Sequence, residues 1–346
     1  MILVLGLAAL IWWGGALLGM ARIVRVSCLL VLFLAVMAIQ LTLPDGSALR
    51  VATGGSPSLW LILAGCALVA FGYSRFIAAL KARAQPQEAP MSQKAATFTD
   101  TELNRYARHI VLRELGGPGQ KKLKNAKVLV IGAGGLGAPA LQYLAAAGVA
   151  TIGVIDDDVV ENANLQRQVI HRDADIGVAK VFSAQQAMEA QNPFVTIRPY
   201  QKRLNEEIAT ELFAEYDLIL DGTDNFETRY LANRTAVALD KPLISGALSQ
   251  WEGQLSLFHP KEDGPCYQCI FPEAPAPGLA PSCSEAGVVG PLPGVVGAMM
   301  AVEAIKQITG AGAVLRGEML IYDGLYGETR KIRLSKRADC PICNAH

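Results

Sequence analysis

Residues 128–140 read VLVIGAGGLGAPA: an apolar run that breaks at Gly132, Gly134, Gly135 and Gly137 and then resumes with helix-forming residues. A strand that feeds a glycine turn and then a helix N-terminus is a phosphate cradle. Without side chains the backbone can approach an anion closely, and the first N–H groups of the helix have no internal partner. The G-x-G-x-x-G spacing alone leaves nicotinamide dinucleotides, flavin dinucleotides and ATP all open.

Outward from this stretch the chain alternates. Strands are expected at 127–132, 150–155, 194–199, 217–221 and 242–246, with helices at 136–148, 177–191, 205–215 and 226–240 between them. That rhythm predicts an α/β fold, a Rossmann-like and mostly parallel sheet with helices on both faces. GQLSLFH, a Pro-rich loop at 272–281, a helix near 294–309 and strands around 318–323 and 328–334 follow.

The second strand ends in VIDDD, about 20 residues past the glycines, where an acid binds ribose hydroxyls. Asp156 fits that role for a dinucleotide or for ATP, and Asp157 and Asp158 read as solvated loop acids. Charge moves the choice. NANLQRQ supplies Asn164 and Arg167, IGVAK supplies Lys180, and LDGTDN places Asp224 just past the fourth strand. Cations beyond the backbone donors, with an acid to hold a hard cation, suit ATP with Mg²⁺ better than a pyrophosphate alone.

Two thiol pairs, Cys266-x-x-Cys269 and Cys340-x-x-Cys343, have the spacing of a closed tetrahedral zinc site that pins the C-terminal strands and tail to an earlier loop. Cys283, in PSCSEAGVVG, lies in a Pro- and Gly-rich loop and is expected to be accessible. The histidines His109, His171, His259 and His346 match no metal or triad spacing and read as structural or surface groups.

The first 80 residues differ from the rest. They hold only Arg22, Arg25, Asp45, Arg50 and Arg75, in a chain whose formal net charge is zero. The remainder is therefore slightly acidic, which argues against nucleic acid as a partner. Apolar runs at 1–21, 26–44 and 59–74, the last able to continue past Arg75 to Leu80, approach the ~20 residues a helix needs to cross a bilayer. Two to three transmembrane helices are expected, the third run being the weakest, and Trp12 and Trp13 fall mid-span. Arg22 and Arg25 share a side with Arg75, Lys81 and Arg83, which puts the link 44–58 outside and everything after residue 81 in the cytoplasm. The expected location is the inner membrane, multi-pass. Residues 81–98 read as a linker, and Thr99 with Glu102 forms a capping box that starts the ATP-binding domain, 99–346.

RYARHIVL, GAGGLG, NLQRQ, DGTDN, CYQC, GVVGPLPGVVGAMMAVEAIK and CPIC, in this order, resemble the ubiquitin-activating-enzyme superfamily. The likeness is to its bacterial ThiF/MoeB branch, nearest to the molybdopterin-synthase adenylyltransferases, and covers residues ~99–346. It implies that the C-terminal glycine carboxylate of a ubiquitin-like sulfur carrier ending in Gly-Gly attacks the α-phosphate of ATP, in molybdenum cofactor biosynthesis or, with shared motifs, on the thiamine-pathway carrier. The resemblance makes Gly132, Gly134, Gly135 and Gly137 the phosphate loop and Asp156 the ribose ligand. Asn164, Arg167 and Lys180 become the phosphate-neutralising set, and Asp224 the Mg²⁺ ligand. Arg108 matches an arginine that enters the partner subunit's nucleotide site, which implies a homodimer. Cys283 aligns with a cysteine that some members use as a nucleophile. A nicotinamide-dependent oxidoreductase is the rival of another class; the cation set, Asp224 and the four cysteines count against it.

Overall fold

The computed structural model describes residues 2–84, 98–262, 264–276 and 286–344. They divide into two compact units, Met1–Gln93 and Lys94–His346.

In the first unit two helices, Arg22–Thr42 and Pro57–Ala84, account for the second and third apolar runs. By length and composition alone, two helices there are long and apolar enough to cross a membrane. The third run, the weakest in sequence, thus gives the longest helix among the described residues, with 28 residues. The first run is instead broken: Ile2–Ala9 passes into a π-turn at Leu10–Gly14 and a last turn at Gly15–Leu17. Two adjacent glycines after a bulky tryptophan pair weaken the helix there. Trp12 does not stand free in mid-span, because its carbonyl accepts a hydrogen bond from Arg25 (3.2 Å) and its ring lies 5.0 Å from that guanidinium.

The second unit is built on one eight-stranded sheet in the order β3-β2-β1-β4-β5-β6-β7-β8. Five strands are parallel: β1 (Lys127–Ile131), β2 (Thr151–Ile155), β3 (Thr196–Tyr200), β4 (Leu218–Asp221) and β5 (Leu243–Leu248). β6 (Glu252–Phe258), β7 (Glu318–Asp323) and β8 (Glu328–Arg333) extend it antiparallel. β1 is apolar at successive positions because both of its faces are covered. Val128 and Val130 pack with Leu141, Leu144 and Met300 on one face, while Leu129 and Ile131 pack with Phe213, Tyr216 and Leu231 on the other. The edge strand β8, ETRKIR, is exposed throughout and carries the charges that discourage further pairing.

Gly137–Ala147 and Pro291–Thr309 lie together on the first face and approach so closely that a Cβ at Gly297 would collide with the Leu136 carbonyl oxygen. The GVVGAMM stripe is therefore core on this side. Two helix starts differ from expectation. Lys180–Gln191 begins three residues late, because Gly177 sits at φ +89° and Ala179 still bridges Val159. Pro291–Thr309 begins three residues early, with Pro291 in the first turn where its missing N–H costs nothing. The capping box is present: Thr99 Oγ1 accepts from the Glu102 N–H at 3.3 Å, and Glu102 Oε2 accepts from the Thr99 N–H at 2.9 Å.

Candidate functional site

The strand order reverses between β1 and β4, and there, at the carboxyl ends of the parallel strands, a cleft of about 800 Å³ opens. Open α/β sheets bind ligands at this point. Gly132 turns the chain out of β1 at φ +92°, and a Cβ on Gly137 would strike the Gly132 carbonyl oxygen. Only glycine lets the helix start that close to the strand. Among the described residues the N–H groups of Gly134 and Gly135 carry no hydrogen bond, which leaves them for an anion.

The residue between, Ala133, is gripped at both ends. Its N–H donates to Asp156 Oδ2 at 2.7 Å, and its carbonyl lies 2.9 Å from His171 Nε2. A nitrogen facing a carbonyl must carry the proton, so Nε2 is protonated, while Nδ1 lies 2.8 Å from Ser183 Oγ, whose hydroxyl donates to Asp175 Oδ2 at 2.7 Å. Burial holds His171 below its usual range. Asp156 is raised by burial, against the hydrogen bonds it accepts from Ala133 and Asp158.

Gly132, Gly134, Gly135, Asp156, Arg167, Lys180 and Asp224 all line the cleft. Lys180 is 6% exposed at its side chain and pairs at 2.7 Å with Asp158, itself 66% exposed. The acid read as a solvated loop residue is thus the counter-ion that brings a buried ammonium to the cleft. Arg167 is half-buried, its Nη1 donating to the Ala163 carbonyl at 3.0 Å. Asn164 is buried outside the cleft lining; its carbonyl accepts from the N–H groups of Arg167 (3.1 Å) and Gln168 (3.0 Å) and so fixes the turn that presents Arg167. Gly137 is likewise buried behind the loop. Arg108 is exposed on the short helix Ala107–Ile110 and does not line the cleft of its own chain. Cys283 and His346 lie outside the described residues.

Beneath Asp224 is a network that the sequence did not disclose. Arg229, 5% exposed, donates to the Thr223 carbonyl, to the Gly246 carbonyl at 2.7 Å and to Ser245 Oγ at 3.0 Å. Asp221, 1% exposed, lies 3.6 Å from the guanidinium and accepts from Thr223 N–H (3.0 Å), Thr223 Oγ1 (2.6 Å) and Ser245 Oγ (3.2 Å). Asn225 caps Phe226–Ala238 by accepting from the Thr228 N–H at 2.9 Å, so Arg229 falls in the first turns and points back under the loop. The one available signal was DNFETR, an N-cap followed four residues on by arginine. Lys202 and Arg203, past β3, also line the cleft, Arg203 pairing with Glu227 at 2.9 Å.

A further part of the cleft lining is carried by the segment that holds the first thiol pair. Cys266, Cys269, Cys340 and Cys343 are buried together, with Sγ–Sγ separations of 3.8 Å (266–269), 3.6 Å (266–340) and 3.4 Å (269–343). Four sulfurs about 2.3 Å from a tetrahedral zinc stand roughly 3.8 Å apart, so the set fits Zn²⁺ with no position left for water. Burial pushes the Cys266 thiol up and brings Cys343 to about 11; burial also opposes the Cys340 thiolate, but N–H groups of Cys343 and Ile342 bring it to about 7. Tyr267, inside the first pair, lines the cleft with Phe271, the two rings 4.8 Å apart. Of the other histidines, His109 faces Gln120 at 3.1 Å and His259 faces Asp240 at 3.1 Å, both away from the cleft.

The sequence model of the ThiF family matches residues 106–342. A sulfur carrier protein adenylyltransferase of Thermus thermophilus is 49% identical over 250 residues, 71% of this chain and 92% of its own. The probable adenylyltransferase/sulfurtransferase MoeZ of Mycobacterium tuberculosis is 50% identical over 257 residues, 73% of this chain and 65% of its own. The adenylyltransferase and sulfurtransferase MOCS3 of Mus musculus is 43% identical over 276 residues, 78% of this chain and 60% of its own. This chain therefore spans less than two thirds of the last two. Among solved structures, Escherichia coli MccB with MccA-N7isoAsn superposes with a TM-score of 0.62 over 70% of this chain and 74% of that one, at 23% identity. At that identity the match speaks for the fold.

Proposed function

The chain belongs to the ThiF family, and from that premise we propose that this adenylyltransferase activates the C-terminal carboxylate of a ubiquitin-like sulfur carrier, the small subunit of molybdopterin synthase, with ATP and Mg²⁺. The observation that carries the reading is the meeting of unpaired loop N–H groups, Asp156, Arg167, Lys180 and Asp224 around one cleft at the strand-order reversal.

The chemistry follows from that set. The attacking carboxylate is already ionised at neutral pH, so no base is needed, and His171 is committed to the Ala133 carbonyl. What must be managed is negative charge. The carboxylate oxygen bonds to the α-phosphorus, the bond to the bridging oxygen breaks, and pyrophosphate departs with the electron pair. Loop N–H groups and Arg167 hold the phosphates. Lys180 can exchange Asp158 for phosphate because Asp158 is exposed and water can take over its solvation. Asp224 and the loop beneath it would hold Mg²⁺, which offsets charge on the leaving pyrophosphate. Cys266, Cys269, Cys340 and Cys343 would hold a structural Zn²⁺ that keeps Tyr267 and Phe271 in the wall.

The active form is a homodimer in which Arg108 completes the partner's cleft. Apolar residues support this: Leu103, Val111 and Leu112 are exposed beside Arg108, and Val169 and Phe182 are exposed near Arg167 and Lys180. ATP–pyrophosphate exchange tests the function, run with molybdopterin-type and thiamine-type carriers ending in Gly-Gly. Exchange with the first type is expected. Exchange with the thiamine type alone would reassign the carrier, and exchange with neither would overturn the reading.

A further inference from the structure

The helices of the first unit expose apolar side chains on several faces. On Arg22–Thr42 the neighbours Leu30, Val31 and Leu34 are 57%, 66% and 57% exposed, and past Pro57 the pairs Leu61–Ile62 and Leu68–Val69 are as bare. Adjacent helix positions point about 100° apart, so these residues cover several faces rather than one stripe. The most apolar windows of the two long helices are only 11% and 6% buried. A core helix of a water-soluble domain would bury such residues.

Polar groups are confined to two levels. At one level Gln40, 1% exposed, donates to the Arg50 carbonyl (2.9 Å) and to Thr53 Oγ1 (2.8 Å). Arg50 pairs with Asp45 at 2.7 Å and donates to the Leu43 carbonyl at 2.7 Å, while Trp60 Nε1 donates to the Thr53 carbonyl at 2.9 Å. The link between the two helices is thus closed on itself, with its charges neutralised and backbone acceptors served. At the other level are Arg25 and Arg75. Fifteen residues separate Gln40 from Arg25 and fifteen separate Trp60 from Arg75, about 22 Å of helix in each case. Arginine stems reach several ångströms further outward, so the uncharged slab between the two levels matches a hydrocarbon core of about 30 Å. The broken first helix runs alongside in reverse: Trp12 stands beside Arg25, and Val4 packs with Val36 and Trp60.

We propose that residues 2–84 form a three-helix unit embedded in a lipid bilayer, with the clasped link 43–56 on the outer side and Arg22, Arg25 and Arg75 on the cytoplasmic side. The adenylyltransferase unit follows the third helix in the chain and so lies on the cytoplasmic side. The proposal is independent of which carrier is activated.

The test uses the full chain expressed in a bacterial host. After an alkaline carbonate wash the protein is expected in the membrane pellet, and detergent is expected to release it. Release by carbonate, or recovery as a discrete oligomer without detergent, would overturn the proposal. Ala48→Cys, on the exposed part of the link, is expected to react with an impermeant maleimide on intact cells, where the unsubstituted chain does not. Pro44→Cys, also exposed, serves if the first variant does not accumulate. Labelling of both only after lysis would refute the orientation.

Discussion

Replacing Arg229 by lysine keeps the charge and removes the fork. The guanidinium serves the Thr223 carbonyl, the Gly246 carbonyl and Ser245 Oγ from two nitrogens, and Asp221 sits 3.6 Å away. One ammonium at the end of a flexible stem cannot reach all of these at once. Two buried acceptors lose their donor, at about 1–3 kcal/mol each, so Arg229→Lys is expected to cost about 2–6 kcal/mol. Arg229→Leu also strips Asp221, 1% exposed, of its counter-charge, and breaking a buried pair this way costs about 3–5 kcal/mol on its own. Either loss is a large part of the roughly 5–15 kcal/mol that holds a domain together. Because Thr223 precedes Asp224, the loop loosens where Mg²⁺ would be held, and half-saturation by Mg²⁺ in ATP–pyrophosphate exchange is expected to rise several-fold. Asp224→Asn is the contrast: Asp224 is exposed, so activity falls while stability holds. Urea unfolding of the compact Lys94–His346 unit, followed by circular dichroism, gives the stability side. A wild-type unfolding midpoint together with an unchanged Mg²⁺ requirement in Arg229→Lys would refute the reasoning.

Lys180→Met leaves no buried charge behind, since its partner Asp158 is 66% exposed; the fold should stand while ATP affinity, measured by calorimetry, drops about tenfold or more, ~1.4 kcal/mol. His171 gives a pH dependence. Its folded value is depressed by burial below the ordinary 6.5, so on acidification the unfolded chain takes up a proton that the folded ring refuses. The stability is full above about pH 6.5 and is lost as pH falls toward the depressed value. His171→Gln should therefore lose less stability than the wild type between about pH 7.5 and 5.5, and equal losses in urea midpoint would sink the assignment. Metal analysis should find one zinc per chain. Cys340→Ser should lower both zinc content and thermal stability, and should raise the KM for the carrier through the Tyr267 wall; full zinc retention would remove the four-thiolate site.

The strands were legible because their burial is uniform: β1 and β4 are covered on both faces, and an unbroken apolar run leaves little choice of period. The glycines were legible because Gly132 and Gly137 each answer a steric demand that no other residue meets. The helix starts at Lys180 and Pro291 were not, since each depends on a neighbour: the Val159–Ala179 bridge in one case and a tolerated proline in the other. Charges followed the same division. That Lys180 and Arg167 belong to the cleft could be read from their order along the chain. That Asp158 is the counter-ion of Lys180, and that Asn164 works through its backbone behind Arg167, could not, because both are properties of the turn between β2 and the next helix.

Arg229 escaped for a deeper reason, which also explains how the two ends of the site are joined. Its partners lie on β4, β5 and the loop after β4, brought together only by sheet order. Tyr267 closes the same assembly from the other side. Its N–H donates to Asn233 Oδ1 at 2.9 Å, on the helix that carries Arg229, and burial pushes its phenol up to about 12 with that guanidinium beside it. The thiol pair flanking Tyr267 is tied to the tail through Cys340 and Cys343. A metal held there would act at one remove from the chemistry: the thiol pair flanks Tyr267, Tyr267 packs beside Arg229, and Arg229 holds the carbonyl next to Asp224. Loops that must meet a polyanion cannot be secured by burying apolar side chains in the cleft itself. Anchoring them from behind, by a charged fork on one side and a thiolate knuckle on the other, leaves the polar surface in front free to bind.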